Sequence, residues 1–97
     1  MNKFSVLISI YYKESPIYFR EALDSVFAQT LLPAEIVLVK DGPLTPELDA
    51  IIEEYAARHP IFKIVTNETN LGLGRALAKG LLACSYEYVA RMDTDDL

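Results

Sequence analysis

Asp93-Thr94-Asp95-Asp96 places three carboxylates within four residues. Held so close, they repel one another unless water or a shared cation relieves them. Hard divalent ions such as magnesium or manganese prefer oxygen ligands, and commonly take one or two carboxylates together with substrate phosphates. An Asp-x-Asp at the end of a buried strand would give two carboxylates a rigid base, one facing an ion and the other a ribose hydroxyl. Asp and Thr are equally at home in the first turn of a helix, so the triplet alone leaves both readings open. Asp41, followed by Gly42-Pro43, could accept from a base N–H or a ribose hydroxyl, or could close an Asx-type turn. Asn70-Leu71-Gly72-Leu73-Gly74 could offer backbone N–H groups to an anion, or merely loosen a helix start. Arg75 and Lys79 lie four apart on one helical face, where they suit a diphosphate or solvent alike. Tyr11 and Tyr12 could stack on a base or pack on the following helix, and Glu14 is the one acid beside them.

The elements that must position these residues are legible in the hydrophobic pattern. Phe4 to Ile10 reads as a buried strand. Ser15-Pro16 reads as a helix N-cap with proline at the first helical position, and Phe19, Ala22, Leu23, Val26 and Phe27 recur at helical spacing. Glu35 to Val39 is a second strand. Thr45-Pro46 repeats the start signal, Leu48, Ile51, Ile52 and Tyr55 line the next helix, and His59-Pro60 ends it. Ile61 to Thr66 is a third strand. A helix from about Leu73 to Ala83 follows, with Leu73, Leu77 and Leu81 as its apolar face and Ala76 and Gly80 beside them. Tyr86 to Met92 is the fourth strand and runs into Asp93. The order βαβαβαβ predicts a Rossmann-like three-layer α/β/α domain, with a mainly parallel sheet and right-handed crossovers. Ligands in such sheets bind beyond the carboxyl ends of the strands, and that rim is where all the polar clusters above would meet.

Composition narrows the field. With 97 residues the chain is one small domain, 52% hydrophobic and 24% charged, and its net charge of −5 argues against nucleic acid as a partner. Cys84 is the one cysteine, which rules out an internal disulfide and zinc-ligand spacing; it reads as a small core residue. His59 is equally alone and reads as a helix-end residue. No signal peptide precedes the first strand, and that strand is too short to span a bilayer. The expected location is therefore the cytoplasm, at the inner face of the membrane if an anchor lies elsewhere in the gene.

Five segments occur in one order: Val6 to Tyr12, Arg20 to Thr30, Glu35 to Gly42, Asn70 to Gly74 and Arg91 to Asp96. Together they resemble the inverting family 2 glycosyltransferases, over essentially the whole chain. The resemblance implies the N-terminal, donor-binding part of a GT-A nucleotide-diphosphosugar transferase fold, residues 1–97, cut after the Asp-x-Asp. It implies that Asp41 binds the nucleotide base, that Asp93 contacts the ribose, and that Asp93 and Asp95 supply the metal site for manganese or magnesium. Tyr11 to Glu14 would flank the base. The expected partners are a nucleotide-diphosphate sugar, with UDP-sugar foremost, and a glycan or lipid-linked acceptor in polysaccharide or cell-envelope glycan synthesis. No catalytic residue is expected here, because the family's general base would lie beyond residue 97, so the fragment alone is expected to be inactive. An exposed fourth strand would invite self-association.

Three departures stand out. Lys40 precedes Asp41 where the family often has a second acid, Pro43 replaces the usual serine, and Leu77-Ala78 stands where an Arg-Asn pair often helps hold the nucleotide. Arg75 or Lys79 would take the place of the missing cation. A phosphoacceptor receiver domain would want an acidic pair where Tyr11-Tyr12 stands. A nucleotidyltransferase-like domain would want a glycine-rich basic loop after the first strand. A non-catalytic nucleotide-binding module stays open at the level of sequence.

Overall fold

The computed structural model describes residues 3–93. The elements are β1 (Phe4–Ile10), α1 (Pro16–Phe27), β2 (Glu35–Asp41), α2 (Pro46–Arg58), β3 (Phe62–Asn67), α3 (Leu73–Ala83) and β4 (Tyr88–Met92). Their order in the sheet is β3-β2-β1-β4, and every pairing is parallel. The three-layer α/β/α expectation holds.

Both predicted helix starts have the expected chemistry. Ser15 Oγ accepts from the Tyr18 N–H at 3.3 Å and Thr45 Oγ1 from the Leu48 N–H at 3.2 Å, each followed by proline at the first helical position. Capping of this kind is typically worth about 1 kcal/mol per helix. The two helices cover one sheet face. Phe19, Leu23 and Val26 from α1, and Leu48, Ile51, Ile52 and Tyr55 from α2, close over Val6, Ile8, Ile10, Ile36 and Leu38. The helices are also tied to each other. Arg20 makes a forked pair to Glu54 at 2.7 and 3.1 Å, and the Tyr55 hydroxyl donates to Asp24 Oδ1. At the far end of α2 the His59 ring stacks on Phe27, with centroids 3.8 Å apart, as befits a helix-end residue rather than a ligand.

The helix α3 crosses the opposite face, over β1 and β2, and here the structure corrects the sequence reading. The residues that pack are the small ones: Ala76 joins Leu7, Val37 and Val39, and a Cβ built on Gly80 would lie 2.5 Å from Leu7 Cδ1 and 2.7 Å from Val39 Cγ2. Leu77 is half-buried, while Leu73 and Leu81 are 54% and 55% exposed. The backbone of α3 comes too close to the sheet for a leucine at the line of contact, so the leucines flank that line.

Strand β4 starts at Tyr88, two residues later than expected. The Ser85 N–H donates to Glu35 Oε1, which takes the connection off the path of the ladder. Ser5 Oγ donates to the same oxygen at 2.7 Å. Glu35 thereby fastens β1, β2 and the α3–β4 connection at the edge of the sheet opposite the rim. Cys84 is half-buried, packs with the α3 cluster, and its thiol donates to the Gly80 carbonyl. Burial pushes that thiol up from its ordinary value, with the Glu35 charge adding to the effect, which fits a packing role and not a reactive one.

Candidate donor-binding rim

The crossovers after β1 and β2 advance in one direction on one face. The crossover after β3 returns over the other face to place β4 beyond β1. The strand order thus reverses between β1 and β4, and a crevice opens beyond their carboxyl ends. In doubly wound sheets this switch point is the usual place for a ligand.

Strand register brings the predicted residues to it. Leu7, Val37 and Val39 face α3, so Asp41, two residues after Val39, lies on the same side. Asp93 follows the Ile8↔Met92 pair, which sets it abreast of Ser9, again on the α3 side. Asp41 and Asp93 end strands that flank β1, about 10 Å apart across the sheet, and Asp41, abreast of Tyr11, lies two residues further toward the rim than Asp93. Arg75 sits in the first turn of α3 and is exposed at this rim. Lys79 is also exposed, but lies about 6 Å further along the helix, away from the rim. Tyr11 and Tyr12 pair edge to face, centroids 5.9 Å apart, and are 37% and 51% exposed. The Glu14 N–H donates to the Tyr11 carbonyl at 3.1 Å. The β1–α1 turn therefore presents both rings to solvent at the mouth of the crevice.

Asp41 is the best-connected residue of the rim. It is 3% exposed. Its Oδ1 accepts from Asn67 Nδ2 at 3.0 Å and from the Leu71 N–H at 2.8 Å, and its Oδ2 from the Gly72 N–H at 3.1 Å. Of the two readings of the loop before α3, N–H groups for an anion or a loosened helix start, the first applies. The anion is Asp41 itself. A carboxylate has about four lone-pair sites, so one on Oδ2 is left for a further donor. Lys40 turns the other way, to Asp49 in the first turn of α2, at 2.8 Å. Gly42 explains the absence of side-chain bulk beside this loop. Its φ is +90°, and a Cβ there would lie 2.8 Å from the Asn70 backbone nitrogen.

Two residues at the rim carry no individual role in the sequence reading. Asn67 is buried abreast of Asp41, and its Oδ1 has no hydrogen-bond partner among the described residues. Arg91 forks onto Asp93, Nε to Oδ1 at 3.3 Å and Nη2 to Oδ2 at 3.0 Å. The strand period of two puts residues 91 and 93 on one face, which was the available signal.

The donor atoms at Asp93 suit a hard divalent cation. Among the described residues no group of three or more His, Cys, Asp or Glu side chains could hold a metal, but magnesium and manganese need only one or two carboxylates where phosphates complete the shell. Asp95, the other expected ligand, lies outside the described residues. Among those residues, no helix is long and apolar enough to cross a membrane.

Known proteins resemble this chain in sequence and in fold. The Amylovoran biosynthesis glycosyltransferase AmsE of Erwinia amylovora is 51% identical over 97% of the chain. The UDP-Gal:alpha-D-GlcNAc-diphosphoundecaprenol beta-1,3-galactosyltransferase of Escherichia coli is 43% identical over 98%. The chain spans only 35% and 34% of the lengths of these relatives. Among solved structures, the mannosyltransferase PcManGT from Pyrobaculum calidifontis, in complex with GDP-Man and Mn2+, matches 97% of the chain with a TM-score of 0.80 at 25% identity, over 28% of its own length. That likeness identifies the architecture as the GT-A fold. The family model "Glycosyl transferase family 2" matches residues 5–97, so the chain belongs to that family.

Proposed function

We propose that this chain is the donor-binding part of a hexosyltransferase that uses a nucleotide-diphosphate sugar, with UDP-sugar foremost, and a glycan or lipid-linked acceptor. The observation that carries the reading is the placement of Asp93 at the switch point, beside a rim that shares its fold with a nucleotide-sugar and manganese complex. The E. coli relative, whose name specifies UDP-Gal and a diphosphoundecaprenol acceptor, supports the choice of donor and acceptor; a role in envelope-glycan synthesis on the cytoplasmic side of the membrane belongs to the same proposal. The acceptor's general base would come from residues outside this chain, so the chain alone binds but does not transfer.

Within this reading Asp41 fixes the loop before α3 and offers its remaining Oδ2 lone pair to a base N–H. The exposed rings of Tyr11 and Tyr12 give the base a stacking surface, with Glu14 closing the turn beneath them. Asp93 takes a ribose hydroxyl and, with Asp95, the cation. Arg75, and Lys79 from one turn further along, supply positive charge toward the diphosphate. A divalent cation bound there would stabilise the leaving diphosphate. The outer edge of β4 would pair with a second copy where nothing else covers it.

Calorimetry with UDP and GDP, with and without manganese, tests the reading. Binding of one nucleotide that requires the metal, and that falls at least about tenfold in Asp93→Asn, is expected. If neither nucleotide binds in a metal-dependent way, the reading fails.

A further inference from the structure

The pairing of Arg91 with Asp93 goes beyond the donor-site reading on which it rests. Arg91 uses two nitrogens of its planar fork, one to each oxygen of Asp93, at 3.3 and 3.0 Å. Such two-point pairing fixes the plane of a carboxylate as well as its charge. The pair is only partly screened from water: the Asp93 side chain is 27% exposed. The same carboxylate that would meet a divalent cation is thus already neutralised by a guanidinium lying within 3.3 Å of it.

We propose that Arg91 makes metal binding at Asp93 contingent on the nucleotide diphosphate. A dication arriving alone meets a carboxylate that has a partner, and a guanidinium that repels it at short range. A diphosphate brings compensating negative charge, so the cation can take its place on Asp93 while the released guanidinium keeps an anionic partner. Arg91 is a positioning residue. It holds Asp93 oriented at rest, opposes the bare metal, and favours the metal–nucleotide pair.

The opposite signs of these effects separate the proposal from a purely structural role. Manganese alone is followed by the paramagnetic relaxation of water protons, and UDP in the presence of manganese by calorimetry, for the wild-type chain, Arg91→Gln and Arg91→Lys. Arg91→Gln is expected to bind manganese alone up to about fivefold more tightly, the scale of a partly exposed ion pair. It is expected to bind UDP with manganese about tenfold more weakly, the scale of a lost charge-assisted contact. Arg91→Lys, which keeps the charge but loses the fork, should stay within about threefold of wild type for UDP. Changes of the same sign in both ligands, or no change in either, overturn the proposal; if Arg91→Gln does not fold, a Lys variant that loses UDP as fully as Asp93→Asn overturns it as well. Absence of metal-dependent UDP binding in the wild-type chain defeats the UDP donor reading itself, and this proposal with it.

Discussion

Asp41 shows how one side chain can hold a loop together and, under the proposed function, keep a lone pair for a ligand. Three hydrogen bonds from Asn67, Leu71 and Gly72 converge on a carboxylate removed from water. Asp41→Asn would turn one acceptor oxygen into an NH2 group that faces another donor. With the NH2 at the Oδ2 position the Gly72 N–H loses this bond but keeps Asn70 Oδ1 as an acceptor at 2.9 Å, so the loss is one charge-assisted hydrogen bond, about 1–3 kcal/mol. The urea midpoint should fall accordingly, and a shift below about 0.5 kcal/mol would show that the grip is not needed. The residue types of the rim were readable because a parallel sheet delivers every strand end to one edge. The partners of Asp41 were not readable: they lie 26, 30 and 31 residues away, and no local pattern encodes a contact of that range. For Arg91 the signal existed, in the two-residue period of β4, but a strand that ends in acids draws attention to the acids.

At the scale of elements, α1 and α2 followed directly from sequence because caps and prolines are local chemistry. The extent of α3 was equally plain, yet its contact face was not. Periodicity weights residues by size and finds leucines, whereas packing against a sheet is set by how near the backbone can come. Gly80 makes the difference measurable. Gly80→Ala gains helix propensity of about 1 kcal/mol. It also puts a methyl group 2.5 Å from Leu7 Cδ1 and 2.7 Å from Val39 Cγ2, an overpacking of about 1–3 kcal/mol. The flexible tip of Leu7 can yield, but the β-branched Val39 is stiff, so overpacking wins and a net loss of about 1 kcal/mol is expected in chemical denaturation. A stabilised Gly80→Ala would mean that α3 has room to lift from the sheet. The late start of β4 belongs to the same class, since the bond from Ser85 to Glu35 crosses 50 residues.

For the whole molecule, Glu35 is the fastening point on the edge away from the rim, and its titration should be visible in global stability. Burial by itself would raise its pKa, but hydrogen bonds from the Ser85 N–H and the Ser5 hydroxyl outweigh that and hold it below the ordinary 4.5. A carboxyl with a depressed folded-state pKa contributes its full stabilisation above the unfolded value, and loses it as pH falls from there through the lower folded value. Melting temperature should therefore drop on acidification below about pH 4.5. Glu35→Gln, neutral throughout, should show a shallower drop over the same range. Parallel curves for the two proteins would remove Glu35 as a source of the acid sensitivity. Glu54, lowered chiefly by its forked bond from Arg20, acts with the same sign, but the pair is partly exposed and solvent screening reduces its contribution.

The strand order has one further consequence, for how the protein comes into being. Strand β4 pairs with β1, so almost the entire described chain lies between these neighbours. Chains generally fold from the N-terminus as they leave the ribosome, and the β3-β2-β1 layer with its two helices can be complete before β4 emerges. Among the described elements the crevice is then the last part to form, and closing it carries the largest loop-closure cost among them. A nascent chain therefore lacks the crevice until its fourth strand has docked, so the three-stranded layer precedes the proposed site.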